Sequence, residues 1–233
     1  MNKRLDLFIS NYHVKNFKDL LSVCIGKSLI NQNAFNQYIK DKEVSIDINA
    51  GLLFIEHNNY KVSFIGDEKK DKTFIYADAN YNYKDETVLD IVKVLEFGEK
   101  HKIKELEEPK QEVNEEITGE TISMISSIIL SDLGCYHVIE KDNKKIYVYL
   151  KDFTSEELTK KLSVQKFASV IKKCITNYDL NQELLIESIA DIYQLELSKK
   201  DNQINLSFPN DIKCEIIFDE DKRIIKLKLE TTK

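Results

Sequence analysis

The sequence contains no tryptophan, two prolines, six glycines and two arginines, Arg4 and Arg223, in 233 residues. So little glycine and proline excludes fibrous, collagen-like and linker-rich chains. The glycines are scattered, and no phosphate-binding loop of the G-x-x-x-x-G-K-[ST] or G-x-G-x-x-G type is present. The shortage of arginine argues against sequence-specific nucleic-acid binding, because arginine is the preferred partner of phosphates and base edges.

Cysteine and histidine are also sparse. The four cysteines lie far apart in the chain, which predicts reduced thiols in a reducing compartment. Only Cys135 and His137 are close enough in sequence to share one face of a strand, and two such residues predict packing more readily than a metal site. We therefore expect no metal and no cofactor.

Long apolar runs are missing as well. Asp6 interrupts the apolar stretch at the N-terminus, and no segment approaches the ~20 apolar residues that a membrane-spanning helix needs. The sequence predicts a cytoplasmic protein that does not contact a membrane.

What the chain does have is a globular composition with unevenly placed charge. Apolar residues make up 42% and charged residues 32%, with a net charge of −6. Between His101 and Glu120, seven glutamates face only three lysines, so most of the net charge lies there. Pro109 favours a loop, and this stretch is either a solvated connection or an acidic surface for a basic partner.

The spacing of apolar residues predicts an α+β fold. Two or three amphipathic helices are expected before Lys42, and four consecutive strands follow between Val44 and Ala79. A helix with Asp85 as its N-cap, a second helix ending at Gly134 as its C′ residue, and a hairpin around Asp142 and Asn143 complete this half.

The second half repeats this order. Three helices are predicted between Glu156 and Tyr193, followed by strands at 194–198, 203–208, 212–218 and 223–230. The fold class is therefore two units, each of helices followed by an antiparallel meander of about four strands. The predicted domains are residues 1–152 and 153–233.

One segment resembles a known family. Thr73 to Asn80 alternates aromatic residues and ends in Ala-Asn, and it is followed by Leu-x-x-Gly at 95–98 and Ile-x-x-Leu at 103–106. With Gly134-Cys135-Tyr136 before a hairpin, the pattern over about Phe17 to Leu150 is similar to a bacterial family of uncharacterised domains. Phe74 and Tyr76 stand where that family has tryptophan, and Asp78 where it has a third aromatic residue. The resemblance implies a fold and no chemistry.

Aromatic and acidic side chains near the end of the fourth strand are the candidate contact residues for a partner protein. Tyrosine combines a large contact area with few rotatable bonds, and acidic residues favour a basic partner. The predicted set is Tyr76, Asp78, Tyr81, Tyr83, Glu105, Glu107, Glu108 and Glu112.

Three functions remain open from the sequence. The first is a non-catalytic protein of the inhibitor, immunity or adaptor type that binds another protein, such as a basic nucleic-acid-handling one. The second is an enzyme with a scattered acid–base site at Asp78, Tyr76 and His137, which requires these groups to converge. The third is a module that adds a strand from a partner to a sheet edge, with Arg223 to Glu230 as the edge strand.

Overall fold

The structure is a computed structural model that describes residues 2–80, 83–209 and 212–231. The helices among these residues are α1 (Lys3–Tyr12), α2 (Phe17–Ile39), α3 (Leu89–His101), α4 (Lys104–Glu107), α5 (Gly119–Leu130), α6 (Glu156–Thr159), α7 (Val164–Asn177) and α8 (Gln182–Tyr193). Single turns of 3₁₀ helix lie at Ala77–Ala79 and Asp85–Thr87. No helix in the described part of the chain is long and apolar enough to cross a membrane.

The larger sheet has seven antiparallel strands, and a long central strand organises it. Its strands are β1 (Val44–Asp47), β2 (Leu52–Ile55), β3 (Asn58–Lys69), β4 (Thr73–Tyr76), β5 (Lys110–Glu112), β6 (Cys135–Lys141) and β7 (Lys144–Leu150). The first four residues of β3 pair with β2, and residues 66–68 pair with β4. Residues 62–69 of β3 pair with β7. The hairpin of β6 and β7 is therefore part of the larger sheet through the pairing of β7 with β3.

The smaller sheet is a four-stranded meander in the order β11-β10-β9-β8. Its strands are β8 (Glu196–Lys200), β9 (Gln203–Phe208), β10 (Ile212–Phe218) and β11 (Ile224–Thr231). Alternate residues of β9 and β10 are buried, as expected for a sheet with one face on the core. Together the helices and the two antiparallel sheets confirm the α+β class.

Helix α2 lies at the centre of the molecule. It contacts α5, α6, α7, α8 and β6, so partners surround it and most of its residues from Phe17 to Phe35 are buried. Its Gly26 allows α8 to approach, because a Cβ there would lie 2.5 Å from Cδ1 of Ile189. One continuous apolar core therefore includes residues of both predicted domains, and the division at residue 152 stays a prediction.

Several local predictions were wrong. Of the two or three amphipathic helices expected before Lys42, two form, and the second, α2, is largely buried instead of amphipathic. Asp67 follows an apolar run, where a turn would be expected, but it lies within β3. Asp85 begins a 3₁₀ turn, whereas α3 starts at Leu89 without a side-chain cap. Helix α5 ends at Leu130, before Gly134, whose role is close packing, since a Cβ there would lie 2.1 Å from the carbonyl oxygen of Ser127.

Candidate functional site

The predicted contact residue Tyr76 is fully buried, with 0% of its surface exposed. Its hydroxyl donates a hydrogen bond to the carbonyl oxygen of Glu105 at 2.9 Å, and its backbone N–H donates to the carbonyl oxygen of Pro109 at 3.1 Å. Burial raises the pKa of this phenol, so it stays neutral. A side chain without exposed surface cannot contact a partner, and Tyr76 instead fixes the acidic segment against the end of β4.

Tyr83 also has a structural role. Its ring stacks on Phe64 with 4.1 Å between centroids, and its hydroxyl donates a short hydrogen bond to the buried carboxylate of Asp67. Asp67 also accepts from Nδ2 of Asn80 at 2.8 Å and from Nζ of Lys144 at 2.5 Å. Nothing in the sequence pattern marked Asp67 as buried, because an acidic residue after an apolar run is usually the start of a turn. Tyr81 lies outside the described residues.

The acidic residues of the predicted set do lie at the surface. Asp78 is exposed in the 3₁₀ turn after β4, Glu107 is exposed on α4, and Glu105 of that helix is half-buried. Glu108, just before β5, and Glu112, the last residue of β5, are exposed. β5 pairs with β4, and Tyr76 is hydrogen-bonded to Glu105 and Pro109, so these residues lie together at the β5 edge of the larger sheet. We call this surface the acidic edge (Asp78 and residues 105–112).

The acid–base site considered above is not assembled in this structure. Tyr76 is on β4 and His137 is on β6, and strands β3 and β7 lie between them, so three interstrand spacings separate them, or about 14 Å. Tyr76 lies in one row with Gly66, Tyr147 and Val138, whereas His137 precedes Val138 in its strand. Successive residues point to opposite faces, so the two side chains are on opposite sides of the sheet.

Cys135 and His137 do share a face of β6, as predicted, but each packs against α2. The Cys135 thiol is hydrogen-bonded to the carbonyl oxygen of Asn31, and burial raises its pKa to about 12. His137 lies edge-on to Phe35, with 5.8 Å between ring centroids, and burial lowers its pKa. In residues 2–80, 83–209 and 212–231 no group of three or more potential ligands is placed to hold a metal ion.

The predicted edge strand is an edge strand in the structure. β11 is eight residues long and, among the described strands, pairs with β10 alone. Leu229 pairs with the buried Cys214, so it belongs to the core-facing side, yet 44% of its surface is exposed. Ile225, at the irregularity where the register of β11 shifts, is 64% exposed. The helices that the structure describes therefore leave this margin of the smaller sheet uncovered.

Comparison with known proteins identifies one family. The model of a family of unknown function (DUF6882) matches residues 18–153. This confirms the expectation of an uncharacterised family for nearly the segment over which the resemblance was found, whereas the bacterial origin and the specific motif stay predictions. No curated protein matches the chain, and no solved structure matches it.

Proposed function

Because the chain belongs to this family of unknown function, which supplies no activity, we propose from its own residues that the protein acts by binding another protein. The proposed role is non-catalytic, of the inhibitor, immunity or adaptor type. The outer edge of β11 carries this proposal, because no other described strand pairs with it, and such an edge presents a row of backbone donors and acceptors to an extended segment of a partner.

The side chains of β11 support a specific contact. Ile225 and Leu229 supply exposed apolar surface beside the edge, which strand addition uses for selectivity. Lys226 and Lys228 pair with Ile217 and Glu215, and they lie on the face of the strand opposite Leu229. Charged residues on an edge strand oppose uncontrolled self-association, which favours a partner protein over a second copy of this chain.

The test compares capture of partners by matched variants. Ile225→Lys places a charge on β11, whereas Leu7→Lys places one on α1 at a residue of nearly equal exposure, 65% against 64%. Cross-linking in a lysate of the source cells should retain a stoichiometric partner with the wild type and with Leu7→Lys, and lose it with Ile225→Lys. A partner retained by all three proteins would contradict binding at β11, and the absence of any partner would contradict the function.

Hydrogen exchange gives a second readout on the same proposal. Backbone amides of β11 that point away from β10 should exchange rapidly in the free protein and become protected when the partner binds. Protection confined to the acidic edge would instead move the contact to the other sheet.

The acidic edge supports the further proposal that the partner is basic. Asp78, Glu107, Glu108 and Glu112 are exposed, and the one ion pair that involves them joins Glu108 to Lys104 at 3.6 Å, among the described residues. Clustered negative charge accelerates association with a positive surface, and salt screens this effect. The association rate constant should therefore fall several-fold as NaCl rises from ~0.05 to ~0.5 M, and a rate independent of salt would contradict a basic partner.

A further inference from the structure

A cavity of about 870 Å³ opens between helix α2, the turn after α6, the end of α8 and one end of the smaller sheet. This volume lies within the range of sites that bind small molecules. Leu158, Leu162 and Phe208 are buried and supply apolar wall. No predicted contact residue within the described ranges lines the cavity, and the cavity is independent of the edge of β11.

Lys27 of α2 lies in the wall of this cavity, although only 3% of its surface is exposed. Its ammonium nitrogen Nζ donates to the carbonyl oxygen of Leu158 at 3.3 Å and to the hydroxyl of Tyr193 at 3.2 Å. The ring of Tyr193 also lies beneath it, with 4.9 Å from Nζ to the centroid. Both hydrogen-bond acceptors are neutral, and an ammonium group has three protons to donate.

No carboxylate of the described residues lies within ion-pair distance of Lys27. Asp132 lines the same cavity, but its two oxygens are held by Nε and Nη2 of Arg4 at 2.9 and 2.7 Å, and by Nδ2 of Asn2 at 2.7 Å. Burial therefore lowers the pKa of Lys27 to about 8, and Asp132 only partly opposes this effect. Buried charges in proteins are normally paired, so Lys27 is a cation without a counterion in the part of the chain that the structure describes.

The remaining charges around the cavity favour an anion. Among the described residues, the lining contains the lysines Lys27, Lys160, Lys161 and Lys213, of which Lys160 pairs with Glu157, against the carboxylates Asp132 and Glu196. This local excess of positive charge is opposite in sign to the net charge of −6. A positive cleft with low-dielectric walls concentrates anions at its mouth.

We propose that this cavity binds a small organic anion, whose oxyanion group lies against the Lys27 ammonium and whose apolar part packs on Leu158, Leu162 and Phe208. A carboxylate or a phosphate supplies the missing counterion and accepts the third N–H. The apolar wall shields the pair from water on one side, which strengthens the interaction.

Calorimetric titration of the full chain with eight-carbon probes tests the ligand class. Octanoate and octyl phosphate carry the two candidate head groups, while octanol and octylamine share their apolar part. The better of the two anions should bind at least about tenfold more tightly than octanol, as expected for hydrogen bonding to a charged group. Whichever anion binds more tightly identifies the head group. Equal or tighter binding of octanol or octylamine, or no binding of either anion, would overturn the proposal.

Proton uptake assigns the binding to Lys27. An anion beside the ammonium raises its pKa, so binding at pH ~8.5 should take up a proton, measured as a dependence of the heat on the ionisation enthalpy of the buffer. The charged or titratable groups that face Lys27 from other elements are Arg4, Asp132, Cys135, Lys166 and Tyr193. Burial raises the pKa of Cys135 and of Tyr193, so both stay protonated at this pH and neither contributes to the proton uptake. Binding without proton uptake would contradict the assignment.

A matched pair of variants completes the test. Lys27→Met should lower the affinity at least about tenfold and abolish proton uptake, whereas Lys161→Met, at the exposed mouth, should lower it less than about threefold. Unchanged affinity in Lys27→Met would overturn the proposal. If that variant does not fold, the proton uptake of the wild type decides the question alone.

Discussion

Replacing Lys27 by methionine should change the stability of the protein in a pH-dependent way. Burial lowers the pKa of Lys27 from the ordinary 10.5 to about 8. Between these values the unfolded chain keeps a proton that the folded protein has released. Methionine has a similar length and no charge, so the variant removes this difference in proton binding with little change in volume.

The magnitude follows from the two pKa values. A difference from 10.5 to about 8 makes the protonated Lys27 cost the folded state about 3 kcal/mol at neutral pH. The cost is fully present below pH ~8 and is removed as the pH rises towards 10.5, because the unfolded chain then loses the same proton. Methionine also leaves the Leu158 carbonyl and the Tyr193 hydroxyl without this donor, which costs about 1–3 kcal/mol.

The two effects are separated by their pH dependence. The lost hydrogen bonds cost the same at every pH, since the neutral amine still donates, whereas the charge effect disappears. The free energy of unfolding of the variant minus that of the wild type should therefore fall by about 3 kcal/mol between pH ~7 and pH ~10.5. At pH ~7 the variant should be as stable as the wild type or up to about 2 kcal/mol more stable.

Urea unfolding at 25 °C and at several values of pH measures this difference. The titration of tyrosines and other lysines affects both proteins alike and cancels. Lys161→Met is the matched control, because Lys161 is exposed and its replacement should give a difference that stays constant with pH. A constant difference between Lys27→Met and the wild type would refute the assignment of a desolvated, unpaired ammonium at this position.

Four other substitutions test the packing, a buried hydrogen bond and an ion pair. Gly134→Ala should destabilise the protein by more than about 2 kcal/mol, because the new Cβ meets backbone atoms of Ser127. Gly26→Ala should lower the melting temperature less than Gly134→Ala does, because its Cβ meets only side-chain atoms of α8. The reverse order of melting temperatures would contradict this packing. Tyr83→Phe removes the donor to the buried Asp67 and should cost about 1–3 kcal/mol in urea unfolding; a cost near zero would show that Asn80 and Lys144 suffice. Burial raises the pKa of Asp132, but the ion pair with Arg4 outweighs burial and holds this pKa below its usual 3.8. The ionised Asp132 therefore stabilises the folded protein above pH 3.8, and this stability is lost as the pH falls through the lower pKa of the folded state. Arg4→Gln should therefore shift the midpoint of acid unfolding, followed by circular dichroism, to higher pH, and an unchanged midpoint would refute this role.

The smaller sheet was the part of the fold most fully predictable from sequence. β9 and β10 have the predicted limits 203–208 and 212–218, because alternation of apolar and polar residues directly records a strand with one buried face. The turns between the strands contain residues that favour tight turns, such as Asp201, which has a positive φ of 50°. Strand limits and turns that depend on neighbouring residues can therefore be predicted from the local sequence.

Pairings between distant segments could not be predicted in this way. β5 has three residues in a segment dominated by charge, and it forms because β4 offers an unpaired edge and Tyr76 holds Pro109 beside it. The position of β7 next to β3 likewise depends on residues far apart in sequence. The burial of Lys27 could not be predicted for the same reason. A single lysine in an apolar helix is usually exposed, whereas this one is buried because α6 and α8 pack around α2.

Helix α2 links the segment matched by the family to the rest of the chain. Its Val23 carbonyl accepts a hydrogen bond from Ser188 at 2.6 Å, and its Ser22 hydroxyl accepts one from the backbone of Asn181 at 2.8 Å. Lys27 is one turn further along, within residues 18–153, whereas Leu158, Tyr193 and Phe208 of the cavity all follow residue 153. The burial of the Lys27 ammonium thus results from the contact between the two parts, since Leu158 and Tyr193, which accept its hydrogen bonds, both follow residue 153. Membership of the family therefore does not by itself carry the proposed anion site, which requires a C-terminal part that packs on α2 as this one does.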